Sequence, residues 1–503
     1  MDREYETLGY HMGTQHPDGV LLDSRRPYLP SMRPALYKEY KDLPSVAFQI
    51  GAAAGEPSAL AAIGSFSDEE RAPDLNTLER ILHYSAGITK KIRGYAFRAA
   101  ACTGALYHIE LYVVCGKISG LDAGVYHFDP KGSQLLRLRE GDHRTALAEA
   151  SAGNETVLHA PVTIVYTDVY WRNAIKYQAR AYRHSFWDSG TILANMLAMV
   201  KSLSLRATVV MGFVDKDVAY LLGIDPMEEL PLALVPLGAE AAPAQKAGSK
   251  LAEIDPDWEP KTNGRLEFPV VSRIHQETSL TNPDSVSAWV QASTSKSEGP
   301  KTQVNGLPLN TLPDSALPKD SLERVIEGRG SSRAFSRDPI TLDRLATLLD
   351  RSIRPIRTDY RRLKALAQTY IIVNAVESLA PGVYQVLVSS EEPRLGLHRI
   401  RLGEFRSRAA HLALNQALGG DAAVNIYYMS DLVETLRTYG ERGYRLAQLE
   451  AAVMAGWGYL AAYALGVGAT GLTFLDGLVE DFLGDSADGL KVMFLLAVGV
   501  PRK

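Results

Sequence analysis

The sequence predicts an α+β fold that occurs twice, as two tandem copies of one sheet-and-helix domain within 503 residues. Three observations predict it. The chain is too long for a single compact core, and length alone suggests two to four domains. Short apolar, strand-like runs alternate with helical stretches, the pattern of helices packed on a sheet. Finally, a set of sequence blocks recurs in the same order with similar spacing, at a period far longer than that of a solenoid repeat.

Taken in order, residues 1–74 form an N-terminal extension with scattered proline and an Ala/Gly run, IGAAAGEP, that reads as loop. Its first residues are polar and lack an apolar stretch, so no signal peptide is expected. NTLERILHYSAG is an amphipathic helix with Leu78, Ile81 and Leu82 on its apolar face. IELYVVCG is a buried strand, GVYHFDP and LLRLRE form a hairpin pair, and FWDSGTILANMLAMVKSL is a helix.

The repeat then becomes visible. LDAGVYHFDP matches LAPGVYQV, and PVTIVY matches AVNIYY. KYQARAYR matches TYGERGYR, and LRATVVMGFVDKDVAYLLG matches VGATGLTFLDGLVEDFLG. The first domain therefore spans 75–240 and the second 319–503. Residues 241–318, rich in Pro, Ser, Thr, Asn and Lys, read as a linker that packs in part over a domain.

Composition excludes several classes. Hydrophobic content is 46%, charged content 22% and net charge -4, so nothing suggests nucleic acid as a partner. The only cysteines, Cys102 and Cys115, form neither a disulfide framework nor a zinc spacing, so a reducing, cytoplasmic setting is expected. Ala451–Leu475 carries no charge and is long enough to span a bilayer. Its counterpart in the first half, however, carries Asp188 and Lys201, so both are read as buried core helices and no membrane is expected. The histidines show no paired spacing, and no metal site is expected. GVGATG follows a long apolar helix rather than a strand, so it is not a dinucleotide fingerprint.

Three blocks of the first half, FRAAACTGALYHIELYVV, KYQARAYRHSFWDSG and GFVDKDVAYLLG, resemble the nitroreductase superfamily in its SagB/McbC-type dehydrogenase branch. The second half opens with RGSSRAF, similar to that superfamily's phosphate-binding start. The resemblance covers about 400 residues. It implies two nitroreductase-like domains forming an intrachain pseudo-dimer, with FMN held between them by groups from both. The blocks are shared out unevenly. The first half has YSAGITKK where an Arg-Ser-Ser-Arg start would be. The second has RRLKALAQTY in place of the Gly-Ala-Leu-Tyr block, and Thr438 in place of Lys176. One composite flavin site and one degenerate site are expected.

Site residues follow from the resemblance and from chemistry. Arg329, Ser331, Ser332 and Arg333 suit a phosphate cradle, because guanidinium forks and hydroxyls donate to phosphate oxygens. The helix formed by ITLDRLATLL would lend its N-terminal field. The bland alternative is an exposed polar loop. Cys102, Thr103, Gly104 and Ala105 suit a loop close to the flavin, since small residues let backbone amides approach the ring. Ala101 and Cys102 depart from the usual Pro and Ser. Cys102 is read as a buried thiol rather than a nucleophile. The resemblance puts Ala469, Thr470 and Gly471 beside the ring as backbone donors, and Arg502, with Lys503, near the phosphate; a frayed tail is the alternative. Lys176, Arg180 and Arg183 share a helix face by spacing. A solvated stripe is one reading; the other is that Lys176 and Tyr177 are a catalytic pair, the cation lowering the phenol pKa. Arg180, Tyr182 and Arg183 recur as Arg442, Tyr444 and Arg445 and are read as structural.

The implied activity is dehydrogenation of a thiazoline or oxazoline in a modified peptide, with cyclodehydratase-type partners. Two alternatives stay open: a flavin oxidoreductase acting on another small or carrier-bound substrate, and a non-catalytic scaffold subunit. Pairing of two chains into a homodimer is also left open.

Overall fold

The computed structural model describes residues 5–19, 35–49, 57–239, 243–244, 251–259, 268–294, 306–360, 365–389 and 394–502. Lys503, nearly all of IGAAAGEP, and parts of the 1–74 and 241–318 segments lie outside the described residues.

Beside two small two-stranded sheets, each half builds one large antiparallel sheet. The first contains β1 (Ser45–Ala47), β2 (Ile109–Cys115), β3 (Gly124–Asp129), β4 (Gln134–Glu140), β5 (Val162–Asp168) and β6 (Leu230–Leu237), in the order β1-β4-β3-β2-β5-β6. The second contains β7 (Leu307–Leu309), β8 (Ala367–Val373), β9 (Gly382–Val388), β10 (Leu395–Leu402), β11 (Val424–Ser430), β12 (Gly468–Gly471) and β13 (Lys491–Gly499), in the order β7-β10-β9-β8-β11-β13-β12. The two orders agree strand for strand, apart from β12 at the end of the second sheet. Register agrees as well: Ile109 faces Asp168 and Ala367 faces Ser430. The expected hairpin is β3–β4.

The central strand IELYVVC is buried at every position because both faces of the sheet are covered. Ile109, Leu111, Val113 and Cys115 enter the main core, while Tyr112 and Val114 enter a second cluster with Val157, Phe213 and Leu221. Alternate residues of a strand point to opposite faces, so two cores produce an unbroken apolar run.

The helices that matter for the site are α1 (Glu6–Gly13), α2 (Leu75–Ala86), α3 (Trp171–Tyr177), α4 (Ala181–Ser202), α5 (Pro269–Glu277), α6 (Pro283–Thr294), α7 (Leu322–Gly328), α8 (Leu342–Ser352) and α9 (Gly443–Ala464). Asp74 starts α2 by accepting from the Thr77 amide at 2.8 Å, the usual way an orphan helix donor is satisfied. Helices α5 and α6 belong to the segment read as linker.

The halves meet through α4 and α9, each 22 residues long and almost wholly buried. The uncharged stretch from Ala451 therefore lies inside a protein interface, and among the described residues no helix is long and apolar enough to cross a membrane. The contact is reciprocal. A side chain at Gly190 would collide with Ala452, and one at Gly456 with Ala194, so glycine allows the two backbones to approach. Tyr182 stacks on its counterpart Tyr444, with ring centroids 6.4 Å apart and planes within 6°.

The repeated arginines clamp across this interface. Arg180 and Arg183 of the first half reach Asp476 of the second at 3.0 and 2.5 Å. Arg442 and Arg445 of the second reach Asp215 of the first at 2.8 and 2.6 Å. All six side chains are buried. Burial alone would raise the Asp476 pKa, but Arg180 and Arg183 hold it well below the usual carboxylate range.

Candidate active site

In the first half, the segment Ala101–Ala105 turns through a left-handed Gly104 (φ 64°) and leaves Gly104 and Ala105 exposed. What holds it is Asp188, on α4. Asp188 accepts from the Thr103 amide at 2.9 Å, the Thr103 hydroxyl at 2.7 Å and the Cys102 thiol at 3.1 Å. Behind it, His108 bridges two carboxylates, with Nε2 2.8 Å from Asp188 and Nδ1 2.6 Å from Asp168. Ser185 donates to the other oxygen of Asp168 at 2.5 Å. Burial works against the imidazolium, but the two acceptors win and raise the His108 pKa to about 10. Cys102, His108 and Asp188 lie close enough together to share a metal ion, a grouping that the histidine spacing did not announce; with the partners present, His108 links Asp168 and Asp188 as a hydrogen-bond relay. Cys102, expected as a buried thiol, is half-buried, and burial, then Asp188, push its pKa far above the ordinary value, which disfavours the thiolate.

Lys176 and Tyr177 press against this loop. A Cβ at Gly104 would sit 2.8 Å from the Tyr177 hydroxyl and 3.1 Å from Lys176 Nζ, so the pair faces backbone with no side chain between. Lys176 Nζ lies 4.9 Å from the Tyr177 ring centroid. The ring of His184 meets Tyr177 edge-on at 4.6 Å, while His184 Nδ1 pairs with the Asn173 side-chain oxygen at 2.8 Å. Burial, aided by Arg180, keeps His184 neutral by lowering its pKa well below the ordinary value. The shared helix face expected for Lys176, Arg180 and Arg183 is not formed. Helix α3 ends at Tyr177, Gln178 takes a left-handed φ of 52°, and Arg180 leads into α4 through a short 3-10 turn. The break points Lys176 at the loop while Arg180 and Arg183 turn to Asp476. The solvated-stripe alternative fails for these two arginines, which are buried.

The second half supplies the other wall. Arg329 follows α7 and crosses the interface, donating Nε to the Ala99 carbonyl at 2.8 Å and Nη2 to that of Arg98 at 3.4 Å. Its guanidinium lies 5.8 Å from the Tyr459 ring centroid. Ser331 Oγ meets the Tyr459 hydroxyl at 3.4 Å, and the Gly471 amide donates to the same hydroxyl. The Ser332 amide donates to Ala469 O at 2.9 Å, while its buried hydroxyl has no partner among the described residues. Ala469, Thr470 and Gly471 form the edge strand β12. The Arg502 amide donates to Ala334 O at 3.1 Å, tying the C-terminal segment to the 329–333 region. Arg333 and Arg502 are exposed. The helix expected to lend its field, α8, begins only at Leu342; Arg329 instead caps the C-terminal end of α7, where the helix dipole presents partial negative charge.

The structure thus assembles Cys102–Ala105 with Lys176 and Tyr177, and Arg329–Ser332 with Ala469–Gly471, and joins the two groups through Arg329. Sequence reasoning missed His108, Asp168, Asp188, His184 and Tyr459. The available signal was Asp188, the lone carboxylate of a largely apolar helix. The relay is not repeated in the second half, where Leu366, Ser430 and Glu450 stand at the places of His108, Asp168 and Asp188. There Glu450 accepts from the Leu366 amide at 2.8 Å.

Comparison with known proteins adds to this geometry. The sequence pattern of the nitroreductase family matches twice, over residues 66–239 and 326–500. The trifolitoxin-processing protein TfxB of Rhizobium leguminosarum bv. trifolii is 29% identical over 223 residues, covering 41% of this chain and 55% of TfxB. The microcin B17-processing protein McbC of Escherichia coli is 26% identical over 134 residues, covering 26% of this chain and 49% of McbC. The chain therefore matches about half the length of these two processing proteins. A crystal structure from Anabaena variabilis, described as a nitroreductase, superposes with a TM-score of 0.78 at 25% identity, over 99% of this chain and 100% of that one.

Proposed function

The chain belongs to the nitroreductase family, and from that premise we propose that it is an FMN-dependent oxidoreductase that dehydrogenates a thiazoline or oxazoline of a modified peptide to the azole. The observation that carries the reading is the contact at Gly104. There the Lys176–Tyr177 pair of one half meets a backbone loop that Arg329 of the other half also reaches. The similarity to a trifolitoxin-processing and a microcin B17-processing protein supports a peptide substrate.

The residues suit a flavin mononucleotide. Arg329, Ser331 and Ser332 offer a cation and two hydroxyls, one of them buried and unpartnered, as phosphate chemistry asks. The exposed Arg333 and Arg502 have the chemistry to close around the same phosphate. Cys102–Ala105 and Ala469–Gly471 would offer the flavin backbone groups. When bound, the flavin supplies a two-electron acceptor for the hydride that leaves the azoline carbon.

The chain's own residues handle the proton. Tyr177 takes it at its phenolic oxygen, and the Lys176 ammonium stabilises the phenolate that must precede this step. His184, kept neutral, packs the Tyr177 ring without competing for that charge. Asp188 fixes Thr103, and with it the height of the loop that the substrate must pass. Loss of a hydride and a proton balances the conversion of azoline to azole. A cyclodehydratase-type enzyme would supply the azoline.

The test is the cofactor count. The purified chain should be yellow and release one FMN per chain on heating, and Arg329→Ala with Arg333→Ala should empty it. Under anaerobic conditions an azoline-containing peptide should bleach the flavin. A colourless protein that also refuses added FMN would sink the proposal.

A further inference from the structure

The pseudo-twofold that relates the halves generates a second position equivalent to the composite site. Ala207 pairs with Leu237 as Ala469 pairs with Val498, so Ala207–Val209 of the first half answer to Ala469–Gly471 of the second, with Val210, Met211 and Gly212 next in line. Counting back from the matched strands β2 and β8, Asp359 stands where the first half has Ala101, and Tyr360 where it has Cys102.

The replacement of a methyl group by a carboxylate changes the site. Asp359 Oδ1 accepts from the Met211 amide at 2.9 Å, and Oδ2 from the Gly212 amide at 2.8 Å. The Val209 amide donates to Arg357 O at 2.9 Å and the Asp359 amide to Val209 O at 3.1 Å, so the segment runs beside Val209 like a short added strand. Trp289, from α6, packs over Gly212. Its indole Nε1 donates to Tyr439 O at 2.9 Å, and Tyr439 is the counterpart of Tyr177. The indole lies 6.1 Å from the Tyr360 ring and 6.3 Å from the Tyr439 ring. A Cβ at Gly212 would be 2.9 Å from Asp359 Oδ2 and 3.2 Å from the indole, so both occupants meet over that glycine.

We infer that this second position is a flavin-ring site held shut by the chain itself, the Arg357 carbonyl taking the Val209 amide that answers to the Gly471 amide, Asp359 taking the Met211 and Gly212 amides just beyond it, and Trp289 packing over Gly212. The inference rests on the flavin reading of the first site. A tethered occupant acts at an effective concentration of roughly millimolar or more, so a free flavin present at micromolar levels does not displace it. The site also lacks a cradle, because α2 runs into YSAGITKK where the other half has Arg329–Arg333. A flavin without a phosphate is therefore the ligand that probes it.

The test uses the full chain with Asp359→Ala and Trp289→Ala together, saturated with FMN and then titrated with riboflavin. The variant should take up one further equivalent, read as quenched riboflavin fluorescence, and the wild type none. A variant that keeps its single FMN but takes up no riboflavin overturns the inference, as does a wild type that takes up a second flavin unaided. Where neither protein holds FMN, the proposed function fails, and riboflavin uptake by the variant alone still decides for or against the plug. Should the double variant not fold, Asp359→Asn serves instead. A carboxamide offers one acceptor oxygen where the carboxylate offered two, so hydrogen exchange at Met211 or Gly212 should quicken at least tenfold; unchanged protection at both overturns the inference.

Discussion

Replacing Asp476 by asparagine tests what joins the halves. Asp476 is fully buried and accepts from Arg180 at 3.0 Å, Arg183 at 2.5 Å and the His16 amide at 3.2 Å. Asp476→Asn keeps the shape but leaves two buried guanidinium groups with no counter-charge. Removing one partner of a buried ion pair costs about 3–5 kcal/mol. For a domain of this size each kcal/mol moves the melting midpoint by roughly 2–4 °C, so a fall of about 10 °C is expected. Circular dichroism during heating, with urea unfolding as a second measure, reads it. Asp215→Asn is an internal control, because Arg442 and Arg445 repeat the clamp and should suffer a similar loss. The sign with pH follows from the depressed Asp476 pKa. Its contribution is present above the unfolded-state value of about 4 and is lost as pH falls below it, so wild type and variant should converge in acid. A loss below about 1 kcal/mol in both variants would refute the idea that these clamps hold the pseudo-dimer together.

Other outcomes follow from the site. Gly104→Ala should push a methyl into Tyr177 and Lys176 and strain a left-handed backbone, lowering turnover about 100-fold while the flavin count stays constant. Tyr177→Phe should lower turnover by about 10²–10⁴-fold, again at constant flavin content, with the loss read as kcat rather than KM. His108→Gln leaves two buried carboxylates facing a neutral amide and should cost about 3 kcal/mol in urea unfolding at pH 7. The His108 pKa is raised to about 10, so its contribution is complete below about 6.5 and is lost as pH climbs through 10; the variant's deficit should shrink over that window.

The duplication and the order of its blocks were legible in the sequence because both copies must build the same strand order around the same helix contact. GVYHFDP and GVYQV keep their shared residues where β3 and β9 begin. The paired arginines were legible as structural for the same reason: a clamp made twice leaves its mark twice. Features made once left less trace. His108 finds Asp168 and Asp188 across 60 and 80 positions of sequence, and no local spacing announces a partner so distant. The break at Gln178 left no mark in KYQARAYR itself, where nothing is glycine or asparagine; its signal lay in the other copy, where Gly440, with φ 62°, stands opposite Gln178. Helix α6 was hidden by the composition of its segment, yet Trp289 is 7% exposed and packs against Tyr360 and Tyr439.

The asymmetry has a physical logic that tethering makes available. In a symmetric dimer of identical chains every residue appears at both sites, so a change like alanine to aspartate at the ring loop would fill both. Within one chain the copies are free to differ. The first half keeps Lys176, Tyr177, His108 and the small residues from Ala99 to Ala105; the second keeps Arg329 to Arg333 and the edge strand β12. Each set lies on the half that faces the other across the same interface, so the proposed proton chemistry would fall to one wall and the proposed phosphate donors to the opposite one. The complementary losses, Thr438, Leu366 and Asp359 in one half and Ser85 to Thr89 in the other, converge on the opposite pseudo-symmetric position. If the two sites had decayed independently, these losses would be scattered over both. Their concentration on one side is the reason to expect a single flavin, and the flavin count of the wild-type chain is where that expectation stands or falls.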